Sequence, residues 1–105
     1  MNSAIQLSVI IPAYNPGKKI IPCLNALGKN LSYFSKNFQL TYEVLIINDG
    51  GEEINFNFEH DIKNIRSVRI KKNRGVGYAR QLGAKISKYD YIFYLDSDVV
   101  LENED

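Results

Sequence analysis

The 105-residue sequence predicts an α/β fold: a doubly wound, mainly parallel sheet in the strand order 3-2-1-4, with helices on both faces. Two observations carry this reading. Short apolar runs rich in β-branched residues alternate with stretches of helical spacing, giving the order βαβ(α)βαβ. Right-handed crossovers between parallel strands then leave few other topologies.

The first strand is Leu7, Ser8, Val9, Ile10 and Ile11, stopped by Pro12. Pro16 and Gly17 mark a turn. Over residues 18–31, Ile20, Ile21, Leu24, Leu27 and Leu31 recur at helical spacing. Pro22 fits this helix only in its first turn, where its missing N–H does no harm, and the helix is expected to fray or end near residues 28–30. Residues 32–41 read as an irregular connection or an extended helix end. The second strand covers residues 42–47 and ends in Asn48, Asp49, Gly50 and Gly51. Residues 52–64 mix two periodicities and read as a loop or short helix. Residues 67–70 form a short third strand. A loop from Asn73 then leads into a helix with Val76, Ala79, Leu82, Gly83 and Ile86 on one face. Small residues at Ala79 and Gly83 let that helix lie close to the sheet. The fourth strand is Tyr91, Ile92, Phe93, Tyr94 and Leu95.

Length allows one small domain. The apolar fraction of 45% and charged fraction of 24% are those of a globular protein. A net charge of +1 gives no sign of a nucleic-acid surface. The single cysteine, Cys23, cannot form an internal disulfide and is compatible with the cytoplasm; it reads as a small apolar residue inside the first helix. No run approaches the roughly 20 apolar residues of a membrane span, and the amino terminus does not read as a signal peptide. A cytoplasmic location is expected, with membrane association left to segments outside this chain. His60, the only histidine, has no partners in sequence for a zinc site or a triad and reads as a surface residue.

Candidate chemistry lies where loops leave the carboxyl ends of strands, the edge at which open α/β sheets bind ligands. The first loop carries Pro12, Ala13, Tyr14 and Asn15, the second Asn48, Asp49, Gly50 and Gly51, and the third Asp96, Ser97 and Asp98. Tyr14 offers a flat face for a base. Asp49 can accept a base N–H. Asp96 and Asp98 can seat a divalent cation that also holds phosphate oxygens. Taken singly, Tyr14 is better read as packing on the sheet edge and Asp49 with Gly50 as a simple turn; the convergence of the loops on one edge favours a nucleotide site. A fourth segment runs from Lys71, Lys72, Asn73 and Arg74 through Gly75, Val76 and Gly77 to Arg80. Its basic groups and glycines before a helix start suit a diphosphate. A dinucleotide fingerprint is a weak alternative, because Arg80 stands where the third glycine belongs.

These motifs resemble glycosyltransferase family 2, whose members have the Rossmann-like GT-A fold. Residues 8–15 (SVIIPAYN) resemble that family's opening strand, 43–51 (EVLIINDGG) its EIIVVDDGS segment, 73–83 (NRGVGYARQLG) its N-x-G-x-x-x-A-R-N-x-G helix start, and 96–98 its DxD. The chain departs from the pattern at Asn48 (usually Asp), Gly51 (usually Ser) and Gln81 (usually Asn). The resemblance implies an inverting transferase, a nucleotide-sugar donor such as a UDP-sugar, and Mn²⁺ or Mg²⁺. It places Pro12, Tyr14, Asn15 and Asn73 among the donor-binding residues. Tyr14 would stack near the uracil and Asp49 would accept a hydrogen bond from it. Asp96 would lie near ribose and metal, Asp98 would ligate the metal, and Arg80 or the 71–74 loop would approach the diphosphate.

No candidate general base lies within the chain, and an inverting transfer needs one to deprotonate the acceptor. Residues 1–105 are therefore expected to be the donor-binding half of a longer enzyme, with the base beyond residue 105. A nucleotidyltransferase of similar architecture is the first alternative, although the first loop lacks the Gly-rich, basic character often found there. A non-catalytic nucleotide-binding or assembly module is the second. In the order 3-2-1-4 the fourth strand lies at a sheet edge, so a homodimer through that edge is a further expectation.

Overall fold

The computed structural model describes residues 4–51 and 62–99. The expected loop or short helix at 52–64 lies almost wholly outside them, as does His60.

Strand β1 spans Ala4–Ala13, β2 Gln39–Asn48, β3 Ile65–Arg69 and β4 Tyr91–Tyr94. Helix α1 spans Ile21–Asn37, entered through a 3₁₀ turn at Gly17–Ile20, and α2 spans Val76–Ile86. All three strand pairs are parallel and the order is β3-β2-β1-β4, as the sequence predicts.

β1 and β2 run side by side in register from Ala4 opposite Gln39 to Ala13 opposite Asn48. They alternate between two cores. Val9, Ile11, Val44 and Ile46 pack with Ile20, Cys23, Leu24, Leu27 and Leu31 beneath α1. Ile10, Leu45 and Ile47 pack with Ala79, Leu82 and Ile86 beneath α2. A strand covered on both faces has no polar side, which is why these runs are continuously apolar.

Pro12 does not stop the first strand. Ile10 accepts a hydrogen bond from Leu95 N–H on the β4 side. Two residues on, Pro12 presents its nitrogen on that same side, beyond the last β1–β4 pair at Ile10 and Tyr94. No ladder hydrogen bond is lost there.

The fraying or ending expected near residues 28–30 does not occur. α1 runs on to Asn37, and Phe38 alone separates it from β2. Gly28 lies on the buried face with Leu27 and Leu31, so its lack of a side chain serves packing. Past Leu31 the helix leaves the sheet, and its apolar periodicity ends with it. Local contacts hold the last turns: Asn37 donates to Tyr33 O at 2.8 Å, Phe38 N–H donates to Phe34 O at 2.8 Å, and the Tyr33 and Phe34 rings meet edge to face at 5.6 Å. β2 begins at Gln39 because its first residues pair with Ala4, Ile5 and Gln6.

Pro22 occupies the first turn of α1, as expected. Gly83 also has the expected role. A Cβ there would lie 2.4 Å from Ile10 Cγ2, so α2 rests on β1 with no room for a methyl group. Val76 departs from its expected place: it is 53% exposed and lies off the buried face of α2.

Candidate functional site

The carboxyl ends of β1 and β2 are tied together. Asp49 N–H donates to Ala13 O at 2.7 Å, and Asn15 N–H donates to Gly50 O at 3.2 Å. Asn15 has a positive φ of 44°, and Gly51, at φ 88°, passes so close that a Cβ would lie 2.7 Å from Asn15 Cα. Gly51 is therefore required by the contact between the two loops, a physical reason for glycine at this departure from the family pattern. Tyr14 is 64% exposed, and its ring lies over Gly50.

A cavity of about 350 Å³ opens at this edge, lined by Pro12, Ala13, Tyr14, Asp49, Asn73, Gly75, Val76, Ala79 and Ser97. It joins all four segments singled out in the sequence. Ser97 and Val76 lie in two of those segments but were not among the expected donor-binding residues, and Val76 was expected on the packed face of its helix.

Asp49 is buried, at 3% exposure. Its Oδ1 accepts from Arg74 N–H at 2.8 Å and its Oδ2 from Gly75 N–H at 2.7 Å. Asn73 Oδ1 also accepts from Gly75 N–H, at 3.0 Å. Gly75, at φ 92°, precedes α2, whose amino end carries no side-chain cap. The guanidinium of Arg74 lies over the Tyr78 ring at 5.2 Å. Lys71 and Lys72 are exposed.

The third loop follows Leu95, which is buried in the α1 core. Val99 N–H donates to Asp96 O at 3.1 Å, closing a turn that leaves Asp96 and Asp98 exposed. Arg80 Nη2 meets Asp96 Oδ1 at 3.2 Å, while Arg80 Nε is buried without a hydrogen-bond partner among the described residues. Beneath the turn, Cys23 Sγ donates to Asp96 O at 3.7 Å. Burial, with a smaller contribution from the Asp98 charge, pushes the Cys23 thiol up to about 11. Cys23 is thus a protonated packing residue at neutral pH. Among the described residues no third His, Cys, Asp or Glu joins the two aspartates in a metal-binding cluster.

The structure thus brings Pro12, Tyr14, Asp49 and Asn73 around one cavity and pairs Arg80 with Asp96. Asn15 braces the first two loops, and Asp98 stands exposed on the third.

A parallel sheet of order 3-2-1-4 with a cavity at its carboxyl edge defines the class of doubly wound α/β proteins, in which ligands bind at that edge. Within that class the chain belongs to glycosyl transferase family 2, whose family model matches residues 8–105. It is similar to a dolichyl-phosphate beta-glucosyltransferase of Dictyostelium discoideum, 33% identical over 108 residues that cover 96% of this chain and 33% of that protein. The human dolichyl-phosphate beta-glucosyltransferase is 31% identical over 103 residues, 89% of this chain and 31% of that protein. A poly(ribitol-phosphate) beta-N-acetylglucosaminyltransferase of Staphylococcus aureus (strain N315) is 35% identical over 105 residues, 91% of this chain and 29% of that protein. The chain spans about a third of the length of these curated relatives.

Proposed function

We propose that this chain is the donor-binding part of a metal-dependent, inverting glycosyltransferase that takes a nucleoside-diphosphate sugar, in the first instance a UDP-sugar. The observation that carries the reading is the convergence of three strand-end loops and the start of α2 on one cavity. The names of the relatives, all transferases of glucosyl or N-acetylglucosaminyl groups, support it.

In this reading the base lies against the exposed ring of Tyr14, next to Asp49. Each Asp49 oxygen has a second lone pair, so a base N–H can add to the amides already bound. The diphosphate lies toward the amino end of α2, where backbone dipoles favour negative charge. The buried, unpartnered Nε of Arg80 is a donor suited to a phosphate oxygen.

The donor set of the third loop fits a hard divalent cation such as Mn²⁺ or Mg²⁺. Asp96 and Asp98 offer exposed carboxylate oxygens and would hold it, and two carboxylates leave its other positions to phosphate and water. When bound, such a cation offsets the charge that develops on the departing diphosphate. Arg80 keeps positive charge beside Asp96 and orients that carboxylate.

Calorimetry tests the reading. UDP should bind more tightly in Mn²⁺ than in EDTA, and Mn²⁺ alone should bind weakly. Equal UDP affinity in the two conditions would refute metal-assisted donor binding.

A further inference from the structure

We infer that Asp49 is a positioning residue, whose carboxylate holds the loop over residues 73–75 in the shape that receives the diphosphate. The inference rests on the donor-site reading above and adds a second role for a residue otherwise assigned only to the base.

Each oxygen of this buried side chain accepts from one of two consecutive backbone amides, those of Arg74 and Gly75, at 2.8 and 2.7 Å. Those amides lie 25 and 26 residues further along the chain and come from the segment that starts α2, not from Asp49's own turn. Hydrogen bonds to an ionised acceptor are among the stronger ones, and two parallel bonds fix orientation as well as distance. They act where the loop most needs support. Gly75 sits at φ 92° and the helix has no side-chain cap. Asn73 Oδ1 reaches the same Gly75 amide at 3.0 Å, so the loop closes around one carboxylate. Asp49 itself is held by its own N–H on Ala13 O at the end of β1. The chain of contacts therefore runs from the central strand through Asp49 to the mouth of α2. A loop fixed in this way presents the next amides of the helix without reorganisation when an anion arrives.

Asp49→Asn separates this role from contact with the base. Asparagine keeps the size but replaces one acceptor with an N–H₂ that faces a backbone N–H. In Mg²⁺, affinities for uridine and for UDP are compared by ligand-observed NMR in wild type and variant. Uridine should lose only the contact with the base, and UDP should lose roughly 10-fold more than uridine, the gap being the diphosphate's share. Equal losses for the two ligands, or none, would overturn the inference and leave the donor-site reading standing. Failure of wild-type protein to bind UDP would overturn that reading instead. Hydrogen exchange on the wild-type chain gives a second measurement that needs no variant. The Arg74 and Gly75 amides should be protected without ligand, and exchange at unprotected rates would equally overturn the inference.

Discussion

Cys23 lies under the turn that carries Asp96 and Asp98, and its surroundings keep it protonated. Its pKa rises from 9.0 to about 11 on folding, first through burial and then through Asp98. A raised acid pKa favours the folded state fully below the unfolded value, and that contribution is lost as pH rises through the folded one. Wild type should therefore lose more stability than Cys23→Ala between pH 9 and 11, as measured by urea denaturation; parallel pH profiles would count against the burial argument. Tyr14 carries the opposite kind of information, a large ring left exposed beside a cavity. Tyr14→Ala should weaken UDP binding by roughly 10-fold, the worth of one stacked base, with little change in thermal stability. For Asp98 the effect should be confined to the metal: Asp98→Asn should bring UDP affinities in Mn²⁺ and in EDTA together. Tyr14, Asp49 and the aspartate pair were legible in sequence because each stood at the carboxyl end of an apolar run. The double engagement of Asp49 was not, since its partners lie 25 and 26 residues away in another loop.

Among the elements, those packed on the sheet declared themselves, and those that leave it did not. α1 was readable as far as Leu31, where sheet contact ends, and unreadable over its last two turns, which local bonds and an aromatic pair sustain. β1 and β2 were longer than their apolar runs because strand pairing extended them into exposed residues. The seam between α2 and β1 permits a firm prediction. Gly83→Ala gains helix propensity of about 1 kcal/mol but drives a methyl group into Ile10, an overpacking cost of about 1–3 kcal/mol. Net destabilisation is expected in denaturant titrations, and a more stable variant would mean that the helix can lift from the sheet. A buried polar rung lies on the same face. Ser8 Oγ donates to Glu43 Oε2 at 2.6 Å, and that oxygen also accepts Lys88 N–H, while Tyr89 N–H donates to Ser8 Oγ at 3.2 Å. It pins the connection into β4 to β1 and β2. Sequence reading did not single it out, because the two residues lie 35 positions apart; they are register partners in the sheet interior.

For the whole molecule, the sheet order places its two longest strands in the centre and its shortest at one edge. β4 pairs with β1, and among the described residues no strand pairs with its other side. Tyr91, Phe93 and Tyr94 are exposed on it. An apolar open edge recruits another strand, so the 105-residue chain is expected to self-associate as a two-fold dimer; sedimentation showing only monomer would contradict this. The topology was legible from the alternation of elements together with the right-handed crossovers between parallel strands. The cavity was legible only as a convergence of loops, since its walls at Val76 and Ser97 depend on how α2 and the third loop are set against the sheet. In the proposed function this cavity holds a nucleoside diphosphate against a cation at Asp96 and Asp98. Paramagnetic broadening tests it most directly. With ¹⁵N-labelled protein and UDP, substoichiometric Mn²⁺ should broaden the amides of residues 96–98 most, then those of Gly75, Val76 and Asp49, with the far end of the sheet near Gln39 unaffected. Broadening centred elsewhere, or identical with and without UDP, would refute this placement of the cation and the diphosphate.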